Sequence, residues 1–131
     1  MAMARVFEHS GIVKSIAYAP DGKTLAAGGD DKKVTVYDLQ NNGAVLHTFA
    51  HSDTVLSIAY APDGKTLAAG GMDEKVTVYD LQNNGAVLHT FEHSDTVFSI
   101  AYAPDGKTLA AGGNDKKVTV YDLQNNGAVL H

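Results

Sequence analysis

Ala19-Pro20-Asp21-Gly22-Lys23-Thr24-Leu25-Ala26-Ala27-Gly28-Gly29 recurs unchanged from Ala61 and again from Ala103, a period of 42 residues at both steps. Repetition at such a period marks a solenoid or a propeller, in which no unit buries its apolar surface without a neighbour. Between residues 47–88 and 89–130 only four positions differ: Ala50/Glu92, Leu56/Phe98, Met72/Asn114 and Glu74/Lys116. Three such units account for 126 of the 131 residues.

Each unit divides into four short β-prone runs. In the central copy the first is Val55–Tyr60, and it ends at Ala61-Pro62-Asp63-Gly64-Lys65. There Pro presets the backbone for a turn and Gly supplies positive φ. Thr66–Gly70 is the second run, closed by a tight turn through Met72-Asp73-Glu74. Lys75–Tyr79 is the third; after the polar loop Gln82-Asn83-Asn84-Gly85, Val87–Phe91 is the fourth. No stretch carries apolar residues at helical spacing over a helical length. The reading is all-β, one four-stranded antiparallel sheet per unit and three per chain. Ala, Gly, Val, Leu and Tyr occupy both parities of the strands, which suits sheets covered on both faces.

Composition narrows the function classes. Ten Lys/Arg against fifteen Asp/Glu give a net charge of −5, the wrong sign for a phosphate backbone, so no nucleic-acid partner is expected. No long apolar run points to a membrane. Met1-Ala2-Met3-Ala4-Arg5 lacks the apolar stretch of a secretory signal and reads as a junction. Zero cysteines exclude disulfides, thiolate metal sites and thiol nucleophiles, and fit a reducing cytoplasm.

The unit resembles a WD-repeat propeller blade, and the resemblance covers nearly the whole chain. It rests on a His before the first strand (His9, His51, His93) and a turn Asp 22 residues later (Asp31, Asp73, Asp115). The Pro-Asp-Gly turn and the Leu-Ala-Ala-Gly-Gly strand complete it. Tyr37-Asp38, Tyr79-Asp80 and Tyr121-Asp122 stand where the family has Trp-Asp, and Ala27, Ala69 and Ala111 replace its Ser. The resemblance implies a structural network of Asp and His. Without the family's Ser and Trp that network is expected to be shorter, with the Tyr hydroxyl left to replace part of the loss. Near-identity of the copies implies a recently amplified or engineered propeller segment.

Three blades cannot close a ring, since propellers close with about 4–8 or more. A lone chain would show two apolar blade faces and a free sheet edge. A junction burying roughly 1,600 Å², about 60% apolar, gains about 25 kcal/mol gross, against roughly 4–15 kcal/mol for association. Head-to-tail homo-oligomerisation into a closed ring is therefore expected, a nine-bladed homotrimer first and a six-bladed homodimer second. The blades are read as about 11–51, 52–93 and 94–131, the last completed by residues 6–9 of a neighbouring chain. Phe7 matches Phe49 and Phe91, and His131 matches His47 and His89, so both chain ends belong to a fourth strand.

Catalytic and metal chemistry find little support. His47 and His51 lie about 13 Å apart along a strand, too far to share an ion. Gly22-Lys23-Thr24 matches the tail of a phosphate loop, but its context is strand–turn–strand. No Ser sits at a nucleophile elbow. The chain reads as a non-enzyme with no cofactor and no metal. Differences between copies fall at 8/50/92, 11/53/95, 12/54/96, 14/56/98, 30/72/114 and 32/74/116, all at one end of an up-and-down blade. In the family that end commonly binds partners. Lys14, Leu56 and Phe98, with Asp30, Met72, Asn114, Lys32, Glu74 and Lys116, are the candidate face for a protein or peptide.

Overall fold

The structure, a computed structural model, describes residues 3–125 and 127–130. His131, expected in a fourth strand, lies outside the described residues. Blade one comprises β1 (Val13–Tyr18), β2 (Thr24–Gly29), β3 (Lys33–Asp38) and β4 (Ala44–Ala50). Blade two comprises β5 (Val55–Tyr60), β6 (Thr66–Gly71), β7 (Lys75–Asp80) and β8 (Ala86–Glu92). Blade three comprises β9 (Val97–Tyr102), β10 (Thr108–Gly113), β11 (Val118–Asp122) and β12 (Ala128–Leu130). Every sheet is antiparallel and keeps its strands in chain order. The first strands of successive sheets pack together, β1 with β5 and β5 with β9, so the blades fan out from that side.

Turn chemistry sets the strand ends. Gly22 has φ 72°, and its N–H donates to the Ala19 carbonyl at 2.9 Å. The Asp21 carboxylate accepts from the Lys23 N–H at 2.9 Å, and Asp63 and Asp105 repeat this with Lys65 and Lys107. Between second and third strands the hairpin turns through Lys32, Glu74 and Lys116, each left-handed at φ 63–66°. The third strand runs one residue further than its apolar pattern suggests, to Asp80, whose carboxylate caps the Gln82 N–H at 3.0 Å.

Small residues let the blades approach. A Cβ on Gly28 would meet Ile58 Cδ1 and Val55 Cγ1 at 3.1 Å, and one on Gly70 would meet Val97 Cγ1 at 3.1 Å. Apolar side chains of each blade thus seat on the second strand of the blade before. Two continuous cores result, one holding Val34, Val55, Ile58 and Leu67, the other Val76, Val97, Ile100 and Leu109. At this packing density a single added methyl is felt. Blade two, flanked on both sides, has β6 buried from Leu67 to Gly71 and β7 from Val76 to Tyr79.

The outer blades have no such cover. Val13 is 44% exposed where Val55 is 1%, and Ile16 is 63% exposed where Ile58 is 6%. Val118 is 78% exposed where Val34 and Val76 are 0%. Among the described residues β12 pairs with β11 from Val120 to Asp122, whereas β8 pairs with β7 as far as Lys75. The sequence is the same at these positions, so the exposure reflects absent neighbours.

A Cβ on Gly71 would run into the Thr54 carbonyl oxygen, a backbone atom that cannot step aside. Gly71→Ala should destabilise the chain by at least about 2 kcal/mol, as overpacking does. Urea unfolding followed by far-UV circular dichroism measures this, and an unchanged midpoint would contradict the packing described.

Candidate functional site

The residues singled out by the repeat form a buried polar relay. Asp73 sits in the β6–β7 hairpin, where its Oδ1 accepts from the Lys75 N–H at 3.3 Å. Its Oδ2 lies 3.0 Å from His51 Nδ1, and His51 Nε2 lies 2.9 Å from the Tyr79 hydroxyl. The consistent assignment has Nδ1–H donating to the carboxylate and the tyrosine O–H donating to Nε2. Blade one repeats it with Asp31, His9 and Tyr37 at 3.0 and 2.8 Å. In blade three Tyr121 reaches His93 at 2.8 Å, while His93 Nδ1 stands 3.5 Å from Asp115. The relay is thus longer than the Asp–His link the resemblance implied. Tyrosine supplies the further donor, the group that the exchange of the family's Trp for Tyr leaves available, 28 residues after each histidine.

His51 also belongs to two blades. Its backbone N–H donates to the Lys32 carbonyl of blade one at 2.8 Å, while its ring serves blade two. His93 does the same through the Glu74 carbonyl at 2.8 Å. The preceding aromatic follows suit: Phe49 of β4 stacks on Tyr79 at 3.9 Å, and Phe91 of β8 on Tyr121 at 3.9 Å. Near the first strands Ser15 Oγ accepts from the Ile58 N–H and Ser57 Oγ from the Ile100 N–H, both at 3.1 Å. Toward the opposite end Tyr60 pairs with Thr24 at 3.0 Å and Tyr102 with Thr66 at 2.9 Å. Each junction is held at three heights.

Burial governs the electrostatics of the tyrosines. Burial first, then the Asp73 charge, pushes the Tyr79 hydroxyl up to about 12, partly offset by the Thr77 hydroxyl. Burial pushes Tyr102 up to about 12, with the Thr66 hydrogen bond working against it. A nucleophile or base needs its ionised form within reach of neutral pH, and these phenols move away from it. Among the described residues no cluster of three or more His, Asp or Glu could hold a metal ion. His47 stacks on Phe49 at 5.3 Å and is no part of the relay.

The varied positions have a backbone signature that the sequence reading missed. Registers slip between Val13 and Ser15, between Val55 and Ser57, and opposite Gly112 and Gly113, so Lys14, Leu56 and Phe98 are each the extra residue of a β-bulge. Bulges re-aim a side chain, and here the re-aimed residue is one that differs in every copy. Asp30, Met72 and Asn114 lie beside them, donating backbone N–H bonds at 2.9 Å to Ile12, Thr54 and Thr96. Lys32, Glu74 and Lys116 occupy the left-handed hairpin position nearby. The glycine pairs that close the second strands were the available signal, since Gly inside a strand marks bulges and close backbone approach.

Two outcomes follow. Tyr79→Phe leaves His51 Nε2 without its donor and should cost about 1–3 kcal/mol in denaturant unfolding; no change would remove the relay's structural role. For the phenols, folded values above the free value of 10.0 mean the unfolded chain loses protons first. Stability should hold up to about pH 10 and fall from there toward pH 12. Tyrosinate absorbance rising in the folded protein as in free tyrosine would contradict this.

Comparison with known proteins agrees with the architecture. The family profile described as WD domain, G-beta repeat matches residues 3–38, 43–80 and 85–122. The solved structure "Structure of U3-55K" superposes with a TM-score of 0.87 at 23% identity, over 95% of this chain and 40% of that one. Protein HIR1 of Aspergillus oryzae is 42% identical over 40 residues, 30% of this chain and 4% of the relative. The hir1 proteins of Aspergillus terreus and Emericella nidulans match over the same lengths at the same identity. The chain thus spans a small part of these curated relatives, about one blade's worth. With three matched repeats, three four-stranded blades and a shared fold, the chain belongs to the WD-domain, G-beta repeat family.

Proposed function

We propose that this chain is a non-enzymatic, self-assembling propeller segment whose exposed outer blades are covered by further copies of itself, as a nine-bladed homotrimer. One observation carries the reading. The faces left open on blades one and three are chemically the two halves of the junction that already exists twice within the chain. On blade three a hollow of about 190 Å³ is lined by Ser99, Ile100, Ala110, Ala111, Gly112 and Val118. At Gly28 and Gly70 valine or isoleucine of the next blade comes within 3.1 Å of where a Cβ would stand, whereas within 4 Å of the same place on Gly112 lie only atoms of blade three itself. Val13 and Ile16 of a neighbouring copy are the matching plug.

The N-terminal segment supports the same occupant. Phe7 stacks on Tyr37 at 4.1 Å, and His9 bonds Asp31 and Tyr37, as Phe49 and His51 do toward blade two. Residues 6–9 therefore act as the end of a fourth strand whose own sheet is not in the chain. In the ring they complete blade three of the neighbour: Phe7 opposite Val118, Glu8 opposite Lys117, and the His9 N–H on the Lys116 carbonyl. Ser99 accepts from the neighbour's Ile16 N–H, and Thr108 pairs with its Tyr18. Nine blades distort a seven- or eight-bladed wedge of about 45–51° to about 40°, against about 60° for six.

Filling the hollow tests this. Gly112→Leu should leave each chain folded and convert the assembly to single chains in light scattering after gel filtration. The parent should elute as three chains. A single-chain parent, or a Gly112→Leu variant that still forms the ring, contradicts the reading; a two-chain parent favours six blades over nine.

A second reading has its own observation: bulges turn Lys14, Leu56 and Phe98 outward beside Met72, with Phe98 and Met72 exposed. This face suits a protein or peptide ligand. Peptides selected on the parent should be lost on Leu56→Ser/Phe98→Ser; retention of all of them would contradict it.

A further inference from the structure

Blade one enters its first strand differently from the other two. Asp53-Thr54 and Asp95-Thr96 precede β5 and β9, but Gly11-Ile12 precedes β1. The backbone there does the same work in all three blades. The carbonyls of Ile12, Thr54 and Thr96 accept from Asp30, Met72 and Asn114, each at 2.9 Å. The side chains at these positions therefore occupy corresponding places. Thr54 is 9% exposed, Thr96 is half-buried and Ile12 is 63% exposed. The neighbouring position tells the same story, with Val55 covered and Val13 open, so the missing cover is the missing preceding blade.

Junctions inside the chain and the junction between chains differ in what they must offset. Blades one and two are tethered, which gives their contact a high effective concentration. Chains meeting in solution lose translational and rotational freedom, and added apolar contact is one way to compensate. The larger apolar residue stands at the one junction that has to form between chains. Position 11 fits this: Asp53 and Asp95 bond their neighbours' N–H groups at 2.7 Å, whereas Gly11 brings no carboxylate to the seam. A Cβ there would meet Asp30 Cβ at 2.9 Å, so this entry segment lies closer to its own hairpin than a side chain allows.

We propose that Ile12 is the seam anchor: blade three of the neighbouring copy covers its side chain, giving the contact between chains apolar area that the internal junctions lack. The inference rests on the ring reading above and assigns the residue that sets the strength of its seam.

The test is dissociation on dilution, followed by mass photometry, for the parent, Ile12→Thr, Ile12→Val and Val45→Thr. Ile12→Thr installs the residue carried by the other two blades, so the fold has a precedent for it. It should raise the half-dissociation concentration roughly tenfold per seam. Ile12→Val should fall between the parent and Ile12→Thr, while Val45→Thr, an exposed change on β4 away from the seam, should match the parent. Ile12→Thr dissociating with the parent overturns the anchor while leaving the ring intact. Val45→Thr weakening the ring as much as Ile12→Thr overturns it too. A parent that never assembles overturns the ring reading itself.

Discussion

Valine and isoleucine of each blade press onto glycine in the blade before, Val55 and Ile58 on Gly28 and Val97 on Gly70. This contact needs two blades and cannot be satisfied within one. Everything else at the junction depends on the resulting approach: the Phe–Tyr stacks, the serine-to-backbone bonds and the Tyr–Thr pairs all span units. His51 shows the division of labour most clearly, with its backbone in blade one and its ring in blade two. A blade in this fold is therefore half of two interfaces, and Val13 and Ile16 of blade one and Val118 of blade three are the exposed counterparts of buried junction residues.

Much of this was legible in the residues. The Pro-Asp-Gly turns, the Ala-Ala-Gly-Gly runs and the Val-Thr-Val-Tyr runs place the strands nearly where they lie, because turn chemistry is local. The 22-residue spacing of His and Asp likewise located two members of the relay. The Tyr hydroxyl's part was not legible with the same certainty, since it depends on β7 and the segment before β5 meeting at hydrogen-bond distance. The bulges at Lys14, Leu56 and Phe98 escaped for a related reason. A bulge is a property of register between two strands, and a single strand's sequence carries only the hint of paired glycines.

The polar groups divide by role. Asp, His and Tyr of the relay are spent on one another, with phenols driven away from ionisation by burial. They hold the hairpin, the linking segment and the third strand together. Sequence variation avoids them and collects on the bulges, the adjoining hairpin and the entry to the first strand. Fixed and varied positions alternate within one hairpin: the Asp73 side chain is buried in the relay, while Met72 and Glu74 on either side of it are exposed.

Solution X-ray scattering of the parent chain, at concentrations where its mass is constant, addresses the central claim most directly. Mutual coverage of the open blades predicts an annular particle of three chains with a central channel. A compact particle with the mass of one chain would show that the exposed flanks of blades one and three are stable in water, and would contradict the account.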